Sequence, residues 1–319
     1  MACNAQQHAR RSAEALRAFC EMAEHFCLLA APRAGASSGQ TAGLARLLAA
    51  CDMLQILSLY AEDDRPLTQE VRRKAAEASA FVAERNRLLL ETYAGLCDAA
   101  VRAGIRLEAM RGAGTLLFYP HAGLRYMKDL DIGLAGEVDP APLLEALRLE
   151  GWSHYPTPPG EPPMLTKEVR YGGPGAEAAG ALFPDALRFK EGGPLTALYV
   201  EFNRSVDDEA TRRAPAEASA AAAFRLACEE FAASEVNLKH LCDTVLALDW
   251  MSAPCCARGA DEGDAARRVR SLLRPLGLVA DAEGTRFRRD LADDSDVNHR
   301  RLVDFAARTA FGAGLTPEG

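Results

Sequence analysis

The chain has 319 residues, 49% of them hydrophobic, so it can bury a large core and is not expected to be disordered; the length suits two modest domains or one with helical extensions. A formal net charge of -8 argues against a broad phosphate-backbone footprint, so long nucleic acid is not an expected partner, though a small basic patch stays open. No apolar run approaches membrane-spanning length, and nine cysteines without a CxxC pair, behind an N-terminus lacking an unbroken apolar stretch, point to a reducing cytoplasm.

Apolar positions at helical spacing occupy about Ala13 to Tyr60, with Leu16, Phe19, Cys20, Met22 and Ala23 before a Gly/Ser/Pro-rich loop and Leu44, Leu47, Leu48 and Cys51 after it. A second helix is predicted from after Pro66 towards Ala103, where Gly104 is a natural stop. The texture then changes. Ile105 to Met110 reads as a strand, Gly112 and Gly114 as a turn, and Thr115 to Tyr119 as the start of a helix. Leu130 to Leu134 has strand character, and Asp139-Pro140 forms an N-cap and first-turn pair for a helix that Gly151 should end. Pro156 to Gly175, dense in Pro and Gly, reads as an irregular loop over the site or a solvated excursion. Strands follow at Leu187 to Lys190 and Thr196 to Asn203, joined through Gly192, Gly193 and Pro194 in a hairpin-like turn. Beyond Asp207, the run Ala216 to Ala223 favours helix, and Leu238, Leu241, Cys242, Val245 and Leu248 mark an amphipathic helix. The arginines past Asp261 (Arg267, Arg268, Arg270, Arg286, Arg288, Arg289, Arg300 and Arg301) alternate with acids as on a solvated helical face.

The sharpest feature is Lys128-Asp129-Leu130-Asp131-Ile132. Strand side chains alternate, which puts both carboxylates on one face and sends Leu130 and Ile132 into the core. Aligned carboxylates suit Mg²⁺, which prefers hard oxygen ligands and shares its shell with substrate phosphates. An Asp-x-Asp pair alone is common on solvated edges and caps, so context matters. Upstream, Gly112-Ala113-Gly114 precedes a predicted helix whose free N–H groups and dipole can hold phosphates. Downstream, Tyr199, Glu201 and Asn203 share one strand face opposite Leu198, Val200 and Phe202, offering a third carboxylate.

In this order of turn, paired acids and later acid, the sequence resembles the nucleotidyltransferase superfamily that includes DNA polymerase β. More narrowly it is similar to a bacterial family of uncharacterised nucleotidyltransferases, through Arg111-Gly112, Tyr119-Pro120, Gly123-Leu124-Arg125 and Asp129-Leu130-Asp131. The likeness covers about Arg85 to Val206. Departures are Ala113 where the superfamily has Ser, Arg111 where the narrower family has Lys, and Glu201-Phe202-Asn203-Arg204 where an acid, an apolar residue and His-Trp are usual. The resemblance implies attack of an acceptor on the α-phosphorus of a nucleoside triphosphate, ATP being the expected one, with loss of pyrophosphate. Asp129 and Asp131 would hold Mg²⁺, and Glu201 would complete a metal site or accept the nucleophile's proton. Arg111, Gly112, Ala113 and Gly114 would cradle phosphates, with Arg125, and Lys128 if it turns that way, neutralising their charge. Lys239 could also reach the triphosphate or simply be an exposed helix lysine, and Asp243 could be a helix-packing partner. His121 and His154 fall on loops near the site, where a lone His is usually solvated.

The expected fold is α+β: a small mixed β-sheet nucleotidyltransferase core at 85–208 between an N-terminal helical region at 1–84 and a C-terminal helical domain at 209–319. The acidic balance favours a small-molecule or peptide acceptor. A tRNA- or protein-modifying, toxin-like enzyme and an inactive nucleotide-binding scaffold are the alternatives.

Overall fold

The computed structural model describes residues 5–33, 40–60, 67–134, 138–158, 163–204, 237–253, 270–281 and 283–311. These residues mix helices and strands around one mixed sheet and one small hairpin. The chain divides into two units, one of Met1–Arg72, Phe118–Pro120 and Ala220–Gly319, the other of Arg73–Leu117 and His121–Ser219. Both helical ends of the sequence therefore belong to one unit.

That unit opens with α1 (Ala5–Arg33) and α2 (Gln40–Ala50), whose apolar stripes, Leu16, Phe19, Met22 and Phe26 on one and Leu44, Leu47 and Leu48 on the other, are buried. α3 (Gln69–Ala103) begins at Thr68, whose Oγ1 accepts the Val71 N–H at 3.3 Å. It ends at Gly104, whose φ of 68° lets the Ile105 N–H reach back to the Ala100 carbonyl at 2.9 Å.

From Arg73 onward α3 belongs to the second unit, with β1 (Leu107–Ala109), α4 (Arg111–Thr115), β2 (Leu130–Leu134), α5 (Ala141–Leu149), β3 (Ser153–Tyr155), β4 (Met164–Arg170), α6 (Ala176–Leu182), β5 (Leu187–Lys190) and β6 (Gly193–Arg204). The sheet order is β1-β2-β6-β4-β3, and β5 pairs with the start of β6. β2 and β6 run parallel, while the other pairs are antiparallel. One face buries Leu130, Ile132, Leu165, Leu198, Val200 and Phe202 in a cluster with Leu89 and Leu96 of α3 and Leu143 and Leu147 of α5. The N-cap of α5 is Pro140 and not Asp139, which lies one residue earlier and accepts the Ala141 N–H at 2.9 Å; the β5–β6 hairpin turns between Lys190 and Gly193, as the sequence suggests.

The first unit resumes with α7 (Leu238–Ser252), the hairpin β7 (Leu278–Asp281) and β8 (Gly284–Phe287), and α8 (Val297–Phe311). α1 packs against α2, α7, α8 and β8.

Several elements differ from the sequence reading. The stretch Pro156 to Gly175 contains β4, an interior strand paired with β6 from Met164↔Glu201 to Arg170↔Leu195. Its Pro and Gly residues flank the strand, and the alternation within it is blurred because Lys167 shares a face with Leu165 and Val169. Gly112 and Gly114 lie inside the short helix α4 instead of in a turn before it. α7 is buried on all sides from Leu241 to Asp249, and so is not amphipathic over that length. The late arginines are not all on a helix, since Arg286 sits on β8 and pairs with Asp281 and Glu283. The Ala216 to Ala223 helix, Arg267 and Arg268 lie outside the described residues. Among the described residues, no helix is long and apolar enough to cross a membrane.

A buried α7 needs partners for its polar groups. Arg11 of α1 donates from Nε to Asp249 Oδ2 at 2.9 Å and from Nη2 to the carbonyls of Asp249 and Asp281, while Thr285 donates to Asp249 Oδ1 at 2.9 Å. Burial still pushes the Asp249 carboxyl above its usual value, against the pull of Arg11 and Thr285. Arg11→Ala leaves that carboxylate buried without its cation. The expected loss is about 3 kcal/mol of unfolding free energy in urea titrations, and Arg11→Met with Asp249→Leu should recover much of it.

Candidate functional site

The site is built on two neighbouring strands. On β2, Leu130 and Ile132 are wholly buried in the core while Asp131 faces the other way, with Asp129 just before the strand. Parallel pairing sets Asp131 opposite Glu201 and Gly133 opposite Asn203 on β6. The carboxylates of Asp129, Asp131 and Glu201 consequently converge, with one oxygen from each lying within 4.8 Å of the others.

Such crowding opposes ionisation. Burial, then the charge of Asp129, and also that of Glu201, push the Asp131 carboxyl from the usual 3.8 to about 7, against Arg111 and a hydrogen bond from Asn203. Arg111 Nη1 donates to Asp131 Oδ1 at 3.2 Å, and Asn203 Nδ2 donates to the same oxygen at 3.4 Å. The Arg111 side chain is 53% exposed, so solvent screens its attraction and the carboxyl stays raised. Its backbone lies in the left-handed region at φ 45°, which is unusual for a residue with a side chain. Three hard oxygen donors with excess negative charge could hold a metal ion.

The remaining expected residues fall in different surroundings. Gly112 is buried, and a Cβ there would come within 3.3 Å of Met127 Cγ and 3.6 Å of Arg125 Nη2. Arg125 is only 5% exposed; its guanidinium lies beneath the glycine-bearing turn of α4 and donates to the Tyr126 carbonyl. Ala113 is half-buried and Gly114 buried. The Lys128 side chain is exposed. Lys239 belongs to the other unit, where Nζ lies 3.6 Å from Asp52 Oδ2. Asp243 is a packing partner in that unit, accepting from the Tyr119 hydroxyl at 2.7 Å. His121 is exposed, and His154 lies on β3 opposite Leu165, on the face away from the acids.

The sequence reading did not single out Arg85 and Asn86, adjacent on α3. Arg85 is fully buried and donates to the carbonyls of Met127 at 3.1 Å and Lys128 at 2.5 Å, to Thr196 Oγ1 at 3.2 Å, and to the Ala197 carbonyl. One guanidinium thus ties the peptide leading into Asp129 to the strand that carries Glu201. Asn86 Nδ2 donates to the carbonyls of Ala122 and Arg125, holding the other end of the same loop. At Gly123 a Cβ would meet the Ser79 carbonyl at 2.6 Å, so only glycine allows this approach to α3. The available signal was an arginine within the apolar stripe, four residues from both Phe81 and Leu89.

Comparison with protein-family models, curated proteins and solved structures finds no match to this chain.

Two outcomes follow from the electrostatics. A carboxyl raised on folding is protonated where the unfolded chain is ionised, so its contribution to stability is intact below about pH 4 and is lost as pH rises through about 7, by at most about 4 kcal/mol. In EDTA, Asp131→Asn should therefore melt above the parent at pH 8 and level with it at pH 4; added Mg²⁺ at pH 8 should raise the parent and not the variant. Arg85→Lys replaces a planar fork by a single ammonium and strands several carbonyls, so the unit should lose about 3 kcal/mol or more, measured by hydrogen exchange in β2 and β6.

Proposed function

We propose that the chain is a magnesium-dependent nucleotidyltransferase with a DNA polymerase β-like core, moving a nucleoside monophosphate from a triphosphate, ATP first among them, to a small-molecule or peptide acceptor. The observation that carries this reading is the convergence of Asp129, Asp131 and Glu201 from two parallel strands. It is supported by their order in the chain, after the glycine segment of α4. Asp129, Asp131 and Glu201 would hold Mg²⁺, which when bound supplies charge neutralisation to the triphosphate.

The chain's own groups then position the reactants. The first residues of α4, Arg111 to Ala113, would offer backbone N–H groups to phosphate oxygens, the Gly114 N–H being bonded to the Met110 carbonyl at 3.4 Å. Arg111 is the exposed cation beside the acids, able to leave Asp131 for a phosphate. An acceptor oxygen or nitrogen forms a bond to the α-phosphorus as the bond from that phosphorus to the bridging oxygen breaks, releasing pyrophosphate. The acceptor's proton passes to Glu201 or to water.

Radiolabelled ATP, GTP, CTP and UTP with Mg²⁺ test the reading. Binding of a triphosphate is expected, with pyrophosphate release once a correct acceptor is supplied, and Asp129→Asn, Asp131→Asn and Glu201→Gln should each lower turnover at least about 100-fold. Absence of any triphosphate binding would overturn it.

A second reading is a nucleotide-binding scaffold without turnover. It is favoured by the Arg111 contact that occupies Asp131 Oδ1, and by Ala113 and Asn203 at positions that depart from the resembled pattern. Triphosphate binding without pyrophosphate release across a broad acceptor panel would select it.

A further inference from the structure

The face of the sheet that carries the acids also carries an aromatic corner. Tyr199 lies two residues before Glu201 on β6 and therefore on the same face. Met164 of β4 is paired with Glu201 on one side and with Tyr155 of β3 on the other, which brings Tyr155 to that face too. The two tyrosine rings meet edge to face, with centroids 5.5 Å apart and planes at 87°. Tyr155 keeps 41% of its surface exposed and Tyr199 is partly exposed, while the core of this unit lies on the opposite face with Leu165, Leu198 and Val200. The pair is thus an open aromatic feature that core packing does not require.

We propose that Tyr155 and Tyr199 form the seat for the nucleobase, an inference that rests on the reading of the three acids as the site of a metal-bound triphosphate. Two residues of strand separate Tyr199 from Glu201, about 7 Å, a distance that a ribose and one phosphate can bridge. A flat ring entering the perpendicular corner lies face-on against one tyrosine and edge-on against the other, and both are preferred aromatic geometries. Every base offers a π-face, so stacking of this kind tolerates all four. The corner therefore supplies affinity for a nucleoside, whereas the acids and α4 serve the phosphates.

The 319-residue chain, with Tyr155→Leu, Tyr199→Leu and the two Phe counterparts, is titrated calorimetrically with Mg²⁺ and ATP and, separately, with Mg²⁺ and inorganic tripolyphosphate. Thermal melts verify each fold; Tyr155→Leu, on an exposed edge, keeps the test readable should Tyr199→Leu disturb the sheet. The Leu variants should weaken ATP about tenfold or more, leave tripolyphosphate unchanged, and be rescued by Phe. If ATP binds the Leu variants as it binds the parent, the base sits elsewhere and the proposal is overturned while the triphosphate reading stands. Equal losses for ATP and tripolyphosphate overturn it as well, because the tyrosines then only support the acids. Failure of the parent to bind either ligand with Mg²⁺ overturns the triphosphate reading and this inference with it.

Discussion

Mutual repulsion of three carboxylates is the constraint around which the second unit is organised. At 4.8 Å two full negative charges cost about 3 kcal/mol with an effective dielectric near 20, and three acids make three such pairs. The fold meets this cost with backbone constraint more than with counter-charge. Leu130, Ile132, Val200 and Phe202 anchor the opposite face of both strands, so neither acid-bearing strand can rotate away without exposing core. Arg85 adds a lock between the two strands, and its buried positive charge also acts on the Asp129 carboxylate. Arg111, exposed and screened, neutralises only in part. What is left over is a raised Asp131 carboxyl beside two further carboxylates, a set that could hold a metal ion.

The motif residues thus divide into two kinds of work. Asp129, Asp131 and Glu201 bring their carboxylates together on the sheet face opposite the core, Asp131 itself being buried. Gly123 lets the loop touch α3, Arg125 underlies α4, and Tyr119 hydrogen-bonds Asp243 in the other unit's interior. Likeness carried by such residues bears on the scaffold as much as on a site.

How much of this was legible depended on range. The alternation around Leu130 and Ile132 gave the direction of both aspartates, and the same periodicity on β6 put Glu201 opposite the core residues Val200 and Phe202. Both are local patterns, and both sets of residues have the burial expected of them. β4 was hidden because Pro and Gly crowd its flanks and a lysine interrupts its apolar face. α4 begins a few residues earlier than its glycines suggest, because glycine locally signals a turn, whereas here Gly112 admits Met127 and Arg125 close to a helix. Arg85 looked like one charge among many; its role depends on carbonyls more than forty and more than a hundred residues away, which no local pattern encodes. The full burial of α7 had the same origin, since its polar positions are satisfied by Tyr119, Arg11 and Thr285 from distant segments.

The gathering of both chain ends into one unit affects how the protein is made. α1 leaves the ribosome before α7, β8 and α8, which cover it, with Leu16, Phe19, Met22 and Phe26 along one side. From Arg33 to Leu238 is roughly 200 residues, or about 10–40 s of elongation. Throughout that interval the nascent chain carries a sticky helix while the unit with the acids is being translated. Its biogenesis accordingly calls for early shielding of α1, by α2 or by a chaperone.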